Sequence, residues 1–275
     1  MTAPVCGVDI GASRSDWKSD SVASGFDTTR SQVAIGWDVF ANDSARAGVG
    51  FTHGKVDVQE GTASGSITQN IGFLYGQLNV GRVVLDGIGS VGSSDWETSR
   101  HDPLAPLGTL STDFGGHDAA LSVGMTVPLQ VSRFALAPYA RVTREHISRD
   151  GFDEGTASIA SLSSDDYSSN GTRVTAGLVG GSHDQRPMTR PFTYQFNAGV
   201  GRDSASLAQP SFGATFAGAN TTISTPDVGR TFGFAQVSAT ARLTSSMYGY
   251  LGVSGETRSG KSEDLGANLG VRATF

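Results

Sequence analysis

The last thirteen residues, from Glu263 to Phe275, limit the possible folds more than any other stretch of the chain. Leu265, Ala267, Leu269, Val271, Ala273 and Phe275 occupy one phase, and Asp264, Gly266, Asn268, Gly270, Arg272 and Thr274 occupy the other. One phase is wholly apolar; the other is polar or lacks a side chain. Alternation this strict is the period-two signature of a β-strand with two unlike faces. The strand also ends on an aromatic residue at the carboxyl terminus. It is expected to close a barrel that is apolar outside and wet inside.

Composition agrees with that expectation. Hydrophobic residues make up 37% of the 275-residue chain, below the roughly 45–50% apolar share of ordinary globular domains. Glycine is abundant at 37 residues, charged residues reach only 17%, and mean hydropathy is −0.15. A soluble domain of this length needs longer apolar runs for its core. A water-filled barrel needs an apolar residue at only every second strand position. No segment approaches the ~20 apolar residues of a spanning helix. The start, MTAPVCGVDIG, has neither a basic opening nor an apolar run. It is therefore not a signal peptide, and the chain is either cytosolic or an internal fragment of a longer precursor. A single cysteine, Cys6, excludes an intramolecular disulfide. A net charge of −6 without a basic stripe argues against a nucleic-acid partner.

Alternating segments recur along the whole chain, and helical periodicity is nearly absent. Twelve strands are expected. The first runs from Val5 to about Trp17, and the second, near Thr28–Ala41, sets Val33, Ile35, Trp37 and Val39 against Gln32, Gly36 and Asp38. The third carries Ala47, Val49 and Phe51, the fourth Ile71, Phe73 and Tyr75, and the fifth RVVLDGIGSVGSSDW. The sixth, around His117–Leu129, is clear, and the seventh is FALAPYARVTREHI. The eighth, ninth and tenth centre on Ala176, Phe196 and Ala239. The eleventh, from Met247, is the least regular, because Tyr248 and Tyr250 share a phase with Glu256. Connections after the second, fourth, sixth and tenth strands are short. Those after the fifth, seventh and ninth are long and polar, roughly residues 98–116, 148–171 and 203–229. The connection near 181–190 is longer than this scheme requires. Loop lengths sorted by parity are the mark of an up-and-down outer-membrane barrel, with short turns in the periplasm and long loops outside. With an even strand count both termini fall on the short-turn side. No domain boundary interrupts residues 1–275, which form one barrel domain.

Placed in this order, the strands resemble the C-terminal translocator domain of autotransporters, the type V secretion proteins of Gram-negative bacteria. Three stretches carry the resemblance: the closing strand, the proline-containing ALAPYARVTREHISRDGFDEG with the GTRVTAGL strand after it, and SMYGYLGVSGETRSG before the end. The resemblance implies an outer-membrane domain that supports export of an N-terminal passenger and anchors it at the cell surface. It also implies that Leu269, Val271, Ala273 and Phe275 form the signal read by the barrel-assembly machinery. A passenger, a helical linker and a signal peptide are expected upstream of this fragment. Nothing before Val5 is long enough to be that linker.

The polar-phase charges Asp38, Asp86, Arg141, Glu145, Arg173, Arg242, Glu256 and Arg272 are expected to line the lumen. A basic side chain facing lipid near the midplane costs about 2–4 kcal/mol, which drives such residues inward. No single one is assigned a role; together they line the route of an unfolded passenger or hold a linker. Gly255–Ser262 is a literal GxxxxGKS match, but strand alternation follows it where a phosphate-binding loop needs a helix. It is read as a polar hairpin outside the membrane. Gly87, Gly89 and Gly92 match GxGxxG inside a strand, and are read as easing its bend and leaving lumen space. The five histidines lack HxxxH or HExxH spacing, so no metal site is expected, and there is no GxSxG elbow. No cofactor is expected, the barrel is read as a non-enzymatic monomer, and its partners are outer-membrane lipid, the assembly machinery and its own passenger. The rival readings are an outer-membrane enzyme with a site on its loops, a small-solute pore or adhesin without a passenger, and a soluble β-sandwich binding module.

Overall fold

The computed structural model describes residues 5–21, 23–104, 108–131, 134–155, 158–182, 191–260 and 262–274. The expected connection near 181–190, Lys261 of the GxxxxGKS match and Phe275 lie wholly or largely outside them. Strands β1 (Val5–Trp17), β2 (Phe26–Ala41), β3 (Ala45–Glu60), β4 (Ala63–Val80), β5 (Val83–His101) and β6 (Thr109–Thr126) form the first half of the wall. A three-residue strand, β7 (Leu129–Val131), lies on the edge of β8 (Phe134–Arg149). The wall continues through β11 (Tyr167–Ser182), β12 (Phe192–Asp203), β15 (Thr231–Arg242), β16 (Met247–Arg258) and β17 (Glu263–Thr274). Between these strands the two longest loops carry β9 (Phe152–Asp153), β10 (Leu162–Ser164), helix α1 (Ala205–Ala208), β13 (Ser211–Phe216) and β14 (Ala219–Ser224).

Twelve antiparallel strands close into a ring when β17 pairs with β1, from Val5↔Thr274 to Asp16↔Glu263. Closure leaves no strand edge exposed to lipid, where an unpaired peptide group is costly. Both described termini therefore sit at one end, beside the short turns around residues 42–44, 81–82 and 243–246. That end is periplasmic and the other extracellular. Two tight turns also occur at the extracellular end, after β3 and β16, so the sorting of loop lengths is incomplete. Gly61 and Gly81 adopt left-handed φ values of 55° and 62° and open two-residue hairpin turns.

The outer face is apolar across the membrane. Val33, Ile35, Val123, Leu251 and Leu269 are 47–58% exposed although they are large and hydrophobic, as expected where acyl chains, not water, surround them. Two expectations about phase are corrected. In β4 the outward set is Gly72, Leu74, Gly76 and Leu78; Ile71, Phe73 and Tyr75 point inward. The reason is local: the Tyr75 hydroxyl donates to Asp38 Oδ1 at 2.7 Å, and the Phe73 and Tyr75 rings occupy the space above Gly50 and Gly48. In β5, Gly87 and Gly89 pair with Val123 and Leu121 on the outer face, so of the three only Gly92 faces inward, and there Ile71 closes over it. In β16, Tyr248 and Tyr250 turn into the lumen with Glu256; Tyr250 covers Gly270. Replacing Gly270 by Ala is expected to dislodge the Tyr250 ring at a cost of about 1–3 kcal/mol. A lowered melting temperature of the folded barrel measures it, and an unchanged one removes the ring–glycine contact from the account.

Strands β2–β8 and β11 run 16–19 residues, apart from the short β7, whereas a tilted spanning strand needs only about 9–11. Above the membrane their two faces exchange character. The outer face becomes polar, with Lys55, Thr68 and Asp95 in line. The inner face becomes apolar: Val56, Ile67, Trp96 and Phe114 are consecutive cross-strand partners. This exchange corrects the expected loop at 98–116. β5 runs on to His101 and β6 starts at Thr109, because their upper halves belong to a water-facing structure with its own core.

Over that core lies a second sheet in the order β14–β13–β10–β9. The most buried apolar side chains, Ala160, Ala208 and Val228, at 1–2% exposure, all belong to this cap. Arg149, at the top of β8, is buried at 8%. Its guanidinium lies 4.0 Å from the Phe212 ring centroid, 5.0 Å from Phe152, 5.2 Å from Phe114 and 5.9 Å from Tyr167. Nη2 donates to Ser164 Oγ at 3.1 Å. Burial pulls the Arg149 pKa down from its ordinary value. Beside it, Arg100 Nε donates to Glu154 Oε1 at 2.9 Å and Nη2 to the Ala160 carbonyl at 2.6 Å, tying the loop after β8 to β5.

Candidate functional site in the barrel lumen

Every second residue of each wall strand points inward, so the pleat alone delivers the polar phases to one space. Asp38 is buried at 3% near the periplasmic mouth. It accepts from Tyr75, from the Val5 amide at 3.0 Å, and pairs with Arg46 Nε at 3.4 Å. The bulge between Asp38 and Phe40 turns Val39 and Phe40 out while Asp38 stays in. Asp86 pairs with Arg141, whose Nη1 donates to Ser122 Oγ at 2.9 Å; Ser122 and Thr143 Oγ1 are 2.9 Å apart. Glu145 lies on the same inner row of β8, opposite Ala120 and Gly171.

Arg173 Nε donates to Asp203 Oδ1 at 2.8 Å, and Arg258 Nη1 to Asp203 Oδ2 at 2.8 Å. Arg258 Nε also reaches Glu256 Oε1 at 2.7 Å. Both guanidinium groups stack on Phe232, at 5.0 and 4.9 Å. Arg272 lies 4.7 Å over the Tyr250 ring, and that hydroxyl donates to Asp9, which also accepts from Asn268 at 3.0 Å. Arg242 sits on the inward phase at the periplasmic end of β15, opposite Tyr248. The eight residues singled out from the sequence thus occupy one face, but they gather in several separate clusters. The partners Asp9, Tyr75, Asp203 and Arg258 were not singled out. Asp203 and Arg258 close strands, where alternation is weakest, and Tyr75 was read with the apolar phase.

Most of these charges are paired, Asp38 with Arg46, Asp86 with Arg141, Asp203 with Arg173 and Arg258, and Glu256 with Arg258, with hydroxyls and amides between them. Such a surface hydrates well and grips nothing strongly. Among the described residues, no cluster of three His, Cys, Asp or Glu side chains has the geometry of a metal site. On the outer wall Leu269 and Val271 are exposed at 58% and 39%, and Ala273 pairs with Cys6 and Met247.

A closed twelve-stranded wall, apolar outside and polar within, narrows the choice to outer-membrane barrels, and comparison with known families decides among them. The model of the autotransporter beta-domain matches residues 8–254. The chain belongs to the autotransporter β-domain family. The autotransporter β-domain is similar in fold to the translocator domain of the autotransporter NalP from Neisseria meningitidis, with a TM-score of 0.82 at 16% identity over 100% of this chain and 89% of that one. It is also similar to the beta domain of the Bordetella autotransporter BrkA, with a TM-score of 0.71 at 15% identity over 100% of both chains. The transport unit of the autotransporter AIDA-I from Escherichia coli gives 0.71 at 15% identity, over 98% of this chain and 90% of that one. At such identities these likenesses speak to fold alone. No match is found among curated proteins. As an autotransporter β-domain, the chain is an outer-membrane translocator for a passenger in a Gram-negative bacterium.

Proposed function

We propose that the lumen is the export route, and that Asp38, Asp86, Arg141, Glu145, Arg173, Arg242, Glu256 and Arg272 form its wetted, self-neutralised wall. The reading rests on one observation: Val5 begins β1 at the periplasmic mouth, held by Asp38. A passenger joined ahead of Val5 reaches the cell surface through the interior or not at all. An unfolded segment exposes many peptide groups and both signs of charge. A wall of paired charges solvates such a chain without a deep binding minimum to stall it. The barrel acts by shape and hydration, as a monomer, and performs no chemistry of its own. Residues 1–275 form one domain, with passenger, linker and signal peptide supplied by the rest of a longer protein. The closing strand, through Leu269, Val271, Ala273 and Phe275, is the address read by the assembly machinery.

The test narrows the lumen at positions outside the charged clusters. Gln32 and Gln236 both line an inner recess, and changing both to Trp fills it. Export of a fused passenger, scored by cleavage with external protease, is expected to fall about tenfold or more while the barrel keeps its heat-modifiable migration. Undiminished export with the lumen filled sinks the route.

A further inference from the structure

Two basic residues break the outward apolar phase of β8. Its outer face reads Ala140 and Val142, and then Arg144 and His146, both exposed. Arg144 pairs across strands with Leu121 and Thr172, and His146 with Ala119 and Asn170, so both side chains stand on the lipid-facing wall. Their hydrogen-bond partners are uncharged: Arg144 Nη1 donates to Thr172 Oγ1 at 2.7 Å, and His146 Nδ1 lies 3.2 Å from Asn170 Oδ1. The inward-facing Arg141 and Arg173 take the carboxylates of Asp86 and Asp203, whereas among the described residues neither Arg144 nor His146 forms an ion pair. The neighbouring Glu145 faces the lumen.

Below the pair the wall is not smooth. Gly72, Gly89 and Ala119 leave a furrow of about 690 Å3 between Leu74, Val91 and Leu121, with Arg144 and His146 at its margin. These three leucine and valine side chains are 59–68% exposed, so nothing in the chain covers the furrow. It lies toward the extracellular side, since β8 runs outward from the periplasmic mouth. Gly89 belongs to the GxGxxG match that the lumen does not use.

We propose that this furrow is a binding site for one phosphorylated, saturated-chain glycolipid of the outer leaflet. One acyl chain lies along the glycine floor, and a phosphate meets Arg144 and His146. Charge complementarity selects the occupant. An uncompensated guanidinium at the upper edge of an apolar band pairs well with a phosphate and poorly with a neutral headgroup. Close contact along a floor without side chains favours a straight chain that touches both walls. The inference rests on the outer-membrane placement and is independent of the export route.

The experiment uses the whole refolded chain in detergent with bisphosphorylated lipid A, the same lipid stripped of its phosphates, or phosphatidylglycerol, and counts lipid retained after washing by native mass spectrometry. The wild type is expected to retain one lipid A. The Arg144→Gln, His146→Gln double variant is expected to retain about tenfold less, the loss of a charge-assisted contact. The dephosphorylated lipid is expected to bind the wild type equally weakly. Gly89→Leu, which fills the furrow, is expected to lose retention with Arg144 and His146 both intact. Equal retention by wild type and double variant overturns the site, as does phosphatidylglycerol binding as firmly as lipid A. Should Gly89→Leu fail to fold, the double variant and the stripped lipid decide the matter alone.

Discussion

Replacing Arg149 by Ala is expected to loosen the extracellular cap from a barrel that otherwise stays closed. The guanidinium is the hub of an aromatic cluster drawn from three separate parts of the chain. Phe114 comes from β6, Phe152 and Tyr167 flank one long loop, and Phe212 belongs to the other. Removing the side chain leaves a cavity among four rings and deletes the cation they share, a loss of about 2–4 kcal/mol. The barrel strands below are held by their own ladders and should not notice. Met is the informative second substitution. It fills much of the volume, keeps a polarisable contact with the rings and removes the cost of burying a charge, so it should lose less than Ala. Limited proteolysis of the loops, with heat-modifiable migration as the control for the barrel, measures both. Equal protection of wild type and Arg149→Ala would show that the cap stands without its hub.

A charge placed on the lipid face gives the second large effect. Val123→Arg or Leu269→Arg is expected to cost about 2–4 kcal/mol in the equilibrium folding of the barrel into vesicles, since the guanidinium has no water at mid-membrane. The same change at Ser254, which faces an inner recess, should cost well under half as much, because lumen water and nearby carboxylates receive it. A polarity-sensitive probe supplies an independent reading: lipid at Leu269, water at Asn268. Comparable costs at Leu269 and Ser254, or the two probes reporting the reverse, would defeat the assignment of inside and outside.

Much of the wall was legible because a strand in a bilayer meets two different solvents, one on each face. That contrast writes itself into every second residue, as in Leu265–Ala273. β1 was bounded at Val5 and Trp17 from alternation alone, and the structure places the same bounds. The rule failed where the solvents change. In the upper halves of β5 and β6 water lies outside and a core inside, so Trp96 and Phe114 point inward and alternation across the boundary loses its meaning. It failed again at Phe73 and Tyr75, where Gly50 and Gly48 on the neighbouring β3 make a place for rings inside the lumen.

The chain's order of residues, by itself, determined a closed antiparallel wall of about twelve strands with both ends at one mouth, because period, parity and turn chemistry are local. Only the tertiary structure decided which charges meet, how Arg149 gathers two distant loops into a cap, and that Arg144 and His146 stand together over a glycine-floored furrow. Those outcomes depend on cross-strand register and on loops that fold back across many strands. Neither leaves a periodic trace along the chain, since partners such as Asp9 and Tyr250 lie 241 residues apart.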